Sequence, residues 1–138
     1  MSDWNTNVIE EFRANAGRVG GNYEGRNLLL LHHTGAKSGT EYVNPLAYQR
    51  LSDDSVAIFA SKGGSPTTPD WFYNLVAHPE VEVEIGTESY SAHARVAEGS
   101  ERERIWEQQK IDWPGFADYE EKTKGIREIP VVVLELAA

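Results

Sequence analysis

Cysteine is absent from the 138 residues, so disulfide bonds and thiolate catalysis are excluded. This absence suits a reducing compartment. Long apolar runs are absent as well, because the leucines of Leu28–Leu31 are followed by two histidines and the stretch is too short to cross a bilayer. The N-terminus has neither the basic region nor the apolar run of a signal peptide. We therefore expect a cytoplasmic protein without an integral membrane segment.

The motifs of several enzyme classes are also missing. No serine lies in the G-x-S-x-G turn of the α/β-hydrolases, and the phosphate loop G-x-x-x-x-G-K-[ST] and the dinucleotide motif G-x-G-x-x-G do not occur. His32 and His33 are adjacent in a predicted strand, so their side chains point to opposite faces and do not readily share a metal ion. We predict no metal site.

Basic residues are scarce, and their distribution is uneven. The 22 Asp and Glu residues and 13 Lys and Arg residues give a net charge of −9, which argues against a nucleic-acid-binding protein. The segment from Arg13 to Lys62 nevertheless carries six bases and four acids. A positive region in an acidic protein can concentrate an anionic ligand, although acidic helices that only keep the protein soluble would give the same balance.

The stretch from Leu28 to Tyr48 is predicted to form two strands joined by a tight turn. Gly35 and Gly39 bracket the turn, so the backbone can bend sharply and present its N–H groups to an anion. The Lys37 ammonium and the Ser38 hydroxyl lie beside them. A phosphate or carboxylate would fit there. A hairpin turn with a solvated lysine is the alternative, and the spacing alone does not choose between them.

A second lysine-bearing turn follows the third predicted strand, Ser55–Ser61. Lys62 is succeeded by two glycines, and a predicted helix, Asp70–Ala77, comes shortly after. We expect the hydroxyl of Thr67 or Thr68 to cap this helix, with the following proline as its first residue. The positive end of the helix dipole would then point at the same loop.

The remaining segments predict one helix at the N-terminus, a hairpin, two later helices and a final strand. Val8 and Phe12 recur at helical spacing, whereas the glycines of 18–26 are typical of a loop. Because the first helix lacks the basic face of membrane-surface helices, we expect it to pack on the main body, and weak peripheral association with the inner face of the membrane stays open. A capping box of Ser100 and Glu103 is expected to start the first later helix. The predicted bounds are 3–16 for the first helix, within an N-terminal segment 1–17, 81–85 and 90–96 for the hairpin strands, 100–110 and 116–124 for the later helices, and 129–136 for the last strand.

These elements indicate a single domain over residues 1–138. About six strands occur mostly as consecutive antiparallel pairs, and helices occur only at the start, between strands three and four, and before the last strand. This order favours the α+β class, mainly β, as a small β-barrel of antiparallel strands with helices packed around it.

Aromatic residues form a second candidate wall for a ligand site. Trp71, Trp113, Phe116 and Tyr119 are spread over two predicted helices and the turn before the second. Together with the lysine turns they suit a flat redox ring that carries a negatively charged tail, and a redox cofactor does not need a protein nucleophile. Packing in the core is the alternative role of the aromatic residues.

Several ordered blocks resemble the deazaflavin-dependent nitroreductase family, whose members are small split β-barrels that use coenzyme F420. The resemblance runs from about Leu28 to Leu136, and it is specific because the blocks agree in order. They are TGAKSG from Thr34, NPL from Asn44, ASKGG from Ala60, PDWFYNL from Pro69 with His78-Pro79 after it, and the pattern Pro-x-Phe-x-x-Tyr from Pro114.

The resemblance implies a split β-barrel and a set of cofactor-binding residues. Ala36, Lys37 and Ser38 would hold the polyglutamate and phosphate tail. The residues that would run along the cofactor or line its other side are Tyr42, Val43, Asn44, Pro45, Leu46, Ala47, Phe59, Ala60, Ser61, Lys62, Asp70, Trp71, Phe72, Tyr73 and Asn74. From its position on the helix, Asn74 is expected to reach a ligand amide.

The resemblance also implies a reaction, hydride transfer from the reduced deazaflavin (F420H2) to a small electron-poor acceptor such as a quinone or, adventitiously, a nitroaromatic. The chain departs from the best-known family pattern at Phe116 and Ala47, where that pattern has tyrosines. Phenylalanine has no hydroxyl to orient an acceptor or relay a proton, so we expect Tyr119 or water to donate the proton and the acceptor pocket to be roomier and less polar. The residues implied to border the acceptor are Ser61, Trp71, Trp113, Phe116 and Tyr119.

Three alternatives remain at this point. A split-barrel reductase that binds flavin mononucleotide (FMN) would leave Lys37 and Lys62 with a shorter and less charged tail to bind. A non-catalytic F420 carrier would have the same cofactor site without an acceptor pocket, and a structural or interaction domain would leave the two lysine turns unexplained. The expected partner is a small-molecule acceptor, and the oligomeric state is left open between monomer and homodimer.

Overall fold

Six antiparallel strands close into a barrel in the computed structural model, which describes residues 2–15 and 27–137. Around the barrel the order is β1-β2-β3-β6-β5-β4, and pairing of β4 with β1 closes it. The prediction of a six-stranded barrel is confirmed. The strands are β1 Leu28–Thr34, β2 Glu41–Ser52, β3 Ser55–Phe59, β4 Glu80–Ile85, β5 Glu88–Val96 and β6 Val131–Ala137.

Four helices and one short 3₁₀ turn pack around the barrel in the described part of the chain. Within the described ranges, no helix is both long and apolar enough to cross a membrane. The predicted end of the first helix at residue 16 and the predicted loop 18–26 lie outside the described residues. The helices are α1 Ser2–Ala14, α2 Asp70–Ala77, α3 Gly99–Asp112 and α4 Gly115–Thr123, and a 3₁₀ turn spans Lys62–Gly64.

Both faces of β1 are buried, which explains its unbroken apolar sequence. Leu29 and Leu31 belong to the cluster inside the barrel, because alternate residues of a strand point to the same side. Leu28 and Leu30 point outward and pack against Val8 and Phe12 of α1. The expected packing of the first helix on the main body is therefore confirmed, and it buries Phe12 to 1% exposure.

A third apolar cluster lies outside the barrel, between strands β3 and β6 and helices α3 and α4. Phe59 and Val131 from the strands contact Trp106 of α3 and Phe116 of α4 in this cluster. The helices therefore bury the outer face of two strands that are already buried on the inside. α4 in particular is held where its aromatic side chains meet the end of β3.

The predicted helix caps are wrong for both helices. Pro69 is the N-cap of α2 and Glu98 that of α3, and neither helix has a side-chain cap. The threonine hydroxyls before α2 are used elsewhere, since Lys62 donates to Thr67 at 3.2 Å and Arg127 donates to Thr68 at 3.4 Å. α3 begins one residue before Ser100, so this serine lies inside the first turn.

The 3₁₀ turn touches α4 through a glycine. Gly64 has a φ of +83°, in the left-handed region that side chains disfavour, and a Cβ added there would lie 2.9 Å from Lys122 Cδ and 3.3 Å from Tyr119 Cα. Gly125 has a similar φ of +80°, but a Cβ there would meet nothing within 4 Å. Glycine is therefore required at position 64 for two reasons: its backbone is left-handed, and the close approach of the turn to α4 leaves no space for a side chain.

We expect Gly64→Ala to lower the free energy of unfolding more than Gly125→Ala. Both variants incur the left-handed penalty of about 1–2 kcal/mol. Gly64→Ala adds contact with the α4 backbone, and overpacking of this kind costs about 1–3 kcal/mol more. Denaturant unfolding of the two variants measures the difference, and equal losses would show that α4 moves away from the turn without resistance.

Candidate functional site

A cleft of about 1040 Å³ opens where β1, β2 and β3 meet two turns and the helices α2 and α4. The first turn comprises residues 35–39 between β1 and β2, and the second turn is the 3₁₀ turn Lys62–Gly64. It brings together most of the residues that sequence reasoning assigned to the cofactor and the acceptor. Its lining comprises Leu28, His33, Gly35, Ala36, Lys37, Ser38, Tyr42, Asn44, Pro45, Leu46, Ala47, Phe59, Ser61, Lys62, Pro69, Asp70, Trp71, Tyr73, Asn74, Trp113, Phe116 and Tyr119.

Three predicted residues lie outside this lining, for reasons of packing. Val43 points to the opposite side of β2 from Asn44, and it packs against the α1 cluster. Ala60 is fully buried inside the barrel. Phe72 packs on the barrel core and borders a separate small apolar cleft. Blocks of consecutive residues were assigned to the cofactor, whereas packing on the barrel or on α1 keeps some members of each block away from the cleft.

The first turn keeps part of its backbone donors available. Gly35 N–H donates to the Thr40 carbonyl at 2.8 Å, and Ala36 N–H donates to Asn74 Oδ1 at 2.9 Å. Within residues 2–15 and 27–137, no hydrogen bond engages the N–H groups of Lys37 and Ser38 or the Lys37 ammonium. This exposed end of the cleft thus presents a cation and two N–H donors, which is the donor set an anion needs.

The second turn contributes a backbone in an unusual conformation. Lys62 has a φ of +48°, the one positive value among the described non-glycine residues. Its ammonium donates to the Thr67 hydroxyl, so the side chain is held beside the turn. Ser61 is 8% exposed, and its hydroxyl makes no hydrogen bond within the described part of the chain. A buried hydroxyl in a cleft wall is available to a ligand.

Arg127 organises this second turn, and sequence reasoning missed it. Its guanidinium donates to the carbonyl oxygens of Ala60, Ser61 and Ser65 at 3.1, 3.0 and 3.1 Å, and to the Thr68 hydroxyl. No carboxylate lies within 4.0 Å of it among the described residues, and burial lowers its pKa. An isolated arginine in a loop carries no sequence pattern that would have singled it out.

The position of Arg127 fixes the direction of two peptide groups. In a trans peptide the carbonyl and the N–H point in opposite directions. Since the carbonyls of Ala60 and Ser61 point at the guanidinium, the N–H groups of Ser61 and Lys62 point away from it. Ser61 and Lys62 both line the cleft, so Arg127 fixes the orientation of these two N–H donors through the carbonyl side of their peptide groups.

Aromatic rings form the other wall of the cleft. Phe116 is at the centre, with ring centroids of Trp113 and Tyr119 at 5.3 and 5.1 Å and those of Phe59 and Trp106 at 5.5 and 6.0 Å. Phe116 is 4% exposed and therefore belongs to the core as well as to the wall. Trp106 lies in the core, and its indole N–H donates to Glu120 at 2.7 Å.

A polar floor connects the first turn to β2. Asn74 Nδ2 lies 3.0 Å from His33 Nδ1, and His33 Nε2 lies 2.6 Å from Asn44 Oδ1. Asn74 was expected to reach a ligand amide, but both ends of its own amide are bonded within the protein. Burial lowers the pKa of His33, which keeps its imidazole neutral near pH 7. Sequence reasoning considered this histidine only as a metal ligand, and no group of three or more histidine, aspartate or glutamate side chains is placed to hold a metal within the described residues.

Comparison with known proteins identifies the family. A profile of the F420H2-dependent quinone reductases matches residues 4–136. The chain belongs to this family. One relative, an F420H2-dependent quinone reductase of Mycobacterium tuberculosis, is 35% identical over 127 residues, or 89% of this chain and 83% of the relative. Membership confirms the predicted class, an F420H2-dependent oxidoreductase with coenzyme F420 as cofactor and quinones as the acceptors of the family.

Solved structures show the same barrel in the family. An F420-H2 dependent reductase, FDR-A, is 39% identical with a TM-score of 0.71, and the match covers 80% of this chain and 95% of FDR-A. A domain-swapped dimer is 35% identical with a TM-score of 0.73, and the match covers 97% and 98% of the two chains. The predicted split β-barrel is therefore confirmed.

We expect Arg127→Lys to loosen the second turn although it keeps the positive charge. A single ammonium cannot reach four oxygens spread over residues 60–68, and each lost hydrogen bond costs about 0.5–1.5 kcal/mol. The variant should have a lower free energy of unfolding and faster hydrogen exchange at the amides of Gly64 and Ser65, which donate to the carbonyls of Ser61 and Lys62 within the turn. Arg104→Lys is the control, because this exposed arginine of α3 makes no hydrogen bond in the described structure. Unchanged exchange at the two amides would contradict the proposed role of Arg127.

Proposed function

We propose that the 1040 Å³ cleft binds coenzyme F420 and that the protein reduces quinones with F420H2 there. One observation carries the proposal: a single cleft joins two lysine-bearing turns to an aromatic wall. The turns suit a polyanionic tail and the wall suits a flat ring, so the residues present fit the cofactor of the family.

The tail end of the proposed site is formed by the two turns. Lys37 and Lys62 supply positive charge, and the N–H groups of Lys37 and Ser38 supply donors that no described group of the protein uses. Charge-assisted hydrogen bonds to phosphate and carboxylate are the strong ones in proteins. FMN carries a shorter and less charged tail, so it would use less of this cationic end.

The ring end of the proposed site has apolar residues on one side. Pro45, Leu46 and Ala47 of β2 line the cleft there, and Trp71 of α2 lines it as well. These residues would exclude water from the ring and orient it. When bound, the reduced deazaflavin supplies a hydride, and a quinone that takes up this hydride and one proton becomes a hydroquinone.

The acceptor would lie against Ser61, Trp113, Phe116 and Tyr119. Phe116 is the hub of the aromatic cluster, and it offers no hydroxyl. Tyr119 is half-buried, and its hydroxyl makes no hydrogen bond within the described residues. We assign proton donation to this hydroxyl, with Ser61 Oγ orienting the acceptor. A small molecule is thus the partner proposed for this end of the cleft.

The cytoplasmic location remains a prediction, as does weak association with the membrane. The oligomeric state is proposed from a relative. Because one relative forms a domain-swapped dimer and matches this chain over 97% of its length, a homodimer is the state we favour.

We expect the protein to bind oxidised F420 selectively over FMN. Trp71 and Trp113 line the cleft, so binding should quench the intrinsic fluorescence in a saturable way. The double variant Lys37→Ala, Lys62→Ala should bind F420 at least about tenfold more weakly, since each charged contact contributes about 1–3 kcal/mol. Its affinity should also depend less on salt.

The control for the double variant is Lys124→Ala, which removes an exposed lysine that borders a different cleft. This change should leave F420 affinity unaltered. Oxidation of F420H2 by a panel of quinones completes the test. Tight binding without turnover of any quinone would indicate a carrier, and selective binding of FMN would refute the proposal.

We expect Tyr119→Phe to lower kcat for quinone reduction by about 10²-fold or more if its hydroxyl donates the proton, with little change in F420 affinity. Phe116→Tyr should partly restore the rate in that background, because it returns a hydroxyl to the same wall. Steady-state rates of quinone reduction by the wild type and the variants, measured at several pH values, test this expectation. A rate that is unchanged in Tyr119→Phe would assign the proton to water.

A further inference from the structure

The polar floor forms a chain of hydrogen bonds whose direction is fixed at one end. It begins at the N–H of Ala36, which can only donate, and this group meets Asn74 Oδ1 at 2.9 Å. The oxygen of the Asn74 amide is therefore identified, and the group that Asn74 turns to His33 is its NH₂.

The same direction passes through the imidazole. Because Asn74 Nδ2 donates, His33 Nδ1 must accept, so the proton of the neutral ring is on Nε2. Nε2–H then donates to Asn44 over 2.6 Å, and the Asn44 atom that receives it is Oδ1. The amide nitrogen of Asn44 is left as a donor with no partner among the described residues.

The position of Asn44 indicates what the chain of hydrogen bonds is for. Asn44 is half-buried and lines the cleft, next to Pro45 and Leu46 on β2. His33 itself continues the inward-facing row of Leu29 and Leu31, at the mouth of the barrel. The sequence thus replaces a leucine with a histidine at the point where the barrel interior meets the cleft.

We propose that His33 is a positioning residue that holds the Asn44 amide with its nitrogen toward the cleft, where it donates to a carbonyl oxygen of the bound redox ring. This inference rests on the proposed function, since the ring is that of F420. Lys37, Lys62 and the N–H groups of the first turn serve the anionic tail, and the hydroxyls of the acceptor end serve the quinone, whereas the Asn44 amide selects for a carbonyl oxygen on the redox ring.

Protonation of His33 would break the chain. Nδ1 would then carry a hydrogen that faces the Asn74 NH₂, and Asn74 could accept it only by flipping and releasing Ala36. Burial lowers the pKa of His33 below 6.5, so the chain is intact at neutral pH and is lost as the pH falls through that lowered value. The affinity for F420 should fall in the same range.

Other ionisable groups lie near the His33 imidazole, and the effect of their titration must be distinguished from that of His33. His32 neighbours it on β1 and bonds Glu84 of β4 on the outer face. Tyr42 of β2 stacks on it with centroids 5.6 Å apart. Asp70 at the start of α2 lines the same cleft, and so does Lys37 in the turn between β1 and β2. The carboxylates and phosphate of F420 also titrate.

The decisive variant is His33→Gln. A glutamine amide can accept from Asn74 and donate to Asn44, and it does not titrate. We expect the wild-type affinity for F420 to fall more steeply than that of His33→Gln once the pH falls below the lowered pKa of His33, with an additional loss of up to about tenfold per pH unit. Titration of the ligand and of every other group is common to both proteins and cancels in the comparison.

Two further variants complete the design. His32→Gln is the matched control, because it removes the neighbouring histidine on the outer face, and it should keep the wild-type loss of affinity at acid pH. Asn44→Leu removes the proposed donor and should weaken F420 binding about tenfold at neutral pH, as expected for one hydrogen bond. Acid-dependent binding that persists unchanged in His33→Gln would overturn the proposal.

A measurement on the ligand-free protein separates this inference from the proposed function. Long-range ¹H–¹⁵N NMR spectra of the imidazoles should show the Nε2–H tautomer for His33. An Nδ1–H tautomer would overturn the proposed chain whatever the protein binds. If the wild-type protein binds no F420 at any pH, the proposed function fails, and the tautomer alone then decides whether His33 positions Asn44.

Discussion

Alternation of side chains around a closed barrel is the constraint on which the site depends. Every strand residue faces either the interior or the outer surface, and the cleft combines strand residues of β1, β2 and β3 with residues of the turns and of helices α2 and α4. β1 shows this directly. Leu29 and Leu31 fill the interior, and His33, the next residue in the same row, reaches the cleft. The site begins where the apolar row ends.

The turns then depend on groups from distant parts of the chain. Asn74 of α2 holds the first turn through the N–H of Ala36, and Arg127 holds the second through the carbonyls of Ala60 and Ser61. In both cases a polar side chain, buried for Asn74 and half-buried for Arg127, satisfies backbone groups that no strand or helix can bond. Neither lysine is needed to satisfy these backbone groups, and both Lys37 and Lys62 line the cleft.

Much of this arrangement was predictable from local patterns. The leucine run followed by TGAKSG predicted a hairpin with a lysine turn, and the barrel followed from strands that come in antiparallel pairs. The cap of α2 was not predictable, because the hydroxyls of Thr67 and Thr68 bond Lys62 and Arg127 instead. The cap of α3 was missed because this helix begins at Gly99, one residue before Ser100. The role of Arg127 could not be predicted from local patterns, because its partners are about 60 residues away along the chain. Contiguous motif blocks also placed Val43 and Ala60 in the site, although Val43 packs against the α1 cluster and Ala60 is buried inside the barrel.

Phe116 is both a core residue and part of the cleft wall, and this dual position has an evolutionary consequence. Its ring joins α4 to Phe59 and Trp106, so it fixes the helix that closes one side of the cleft. A substitution that alters acceptor preference at this position therefore also alters the fit between α4 and the barrel. New acceptor specificity at Phe116 would have to arise together with compensating changes in the surrounding aromatic residues, which limits the routes by which this enzyme can diversify.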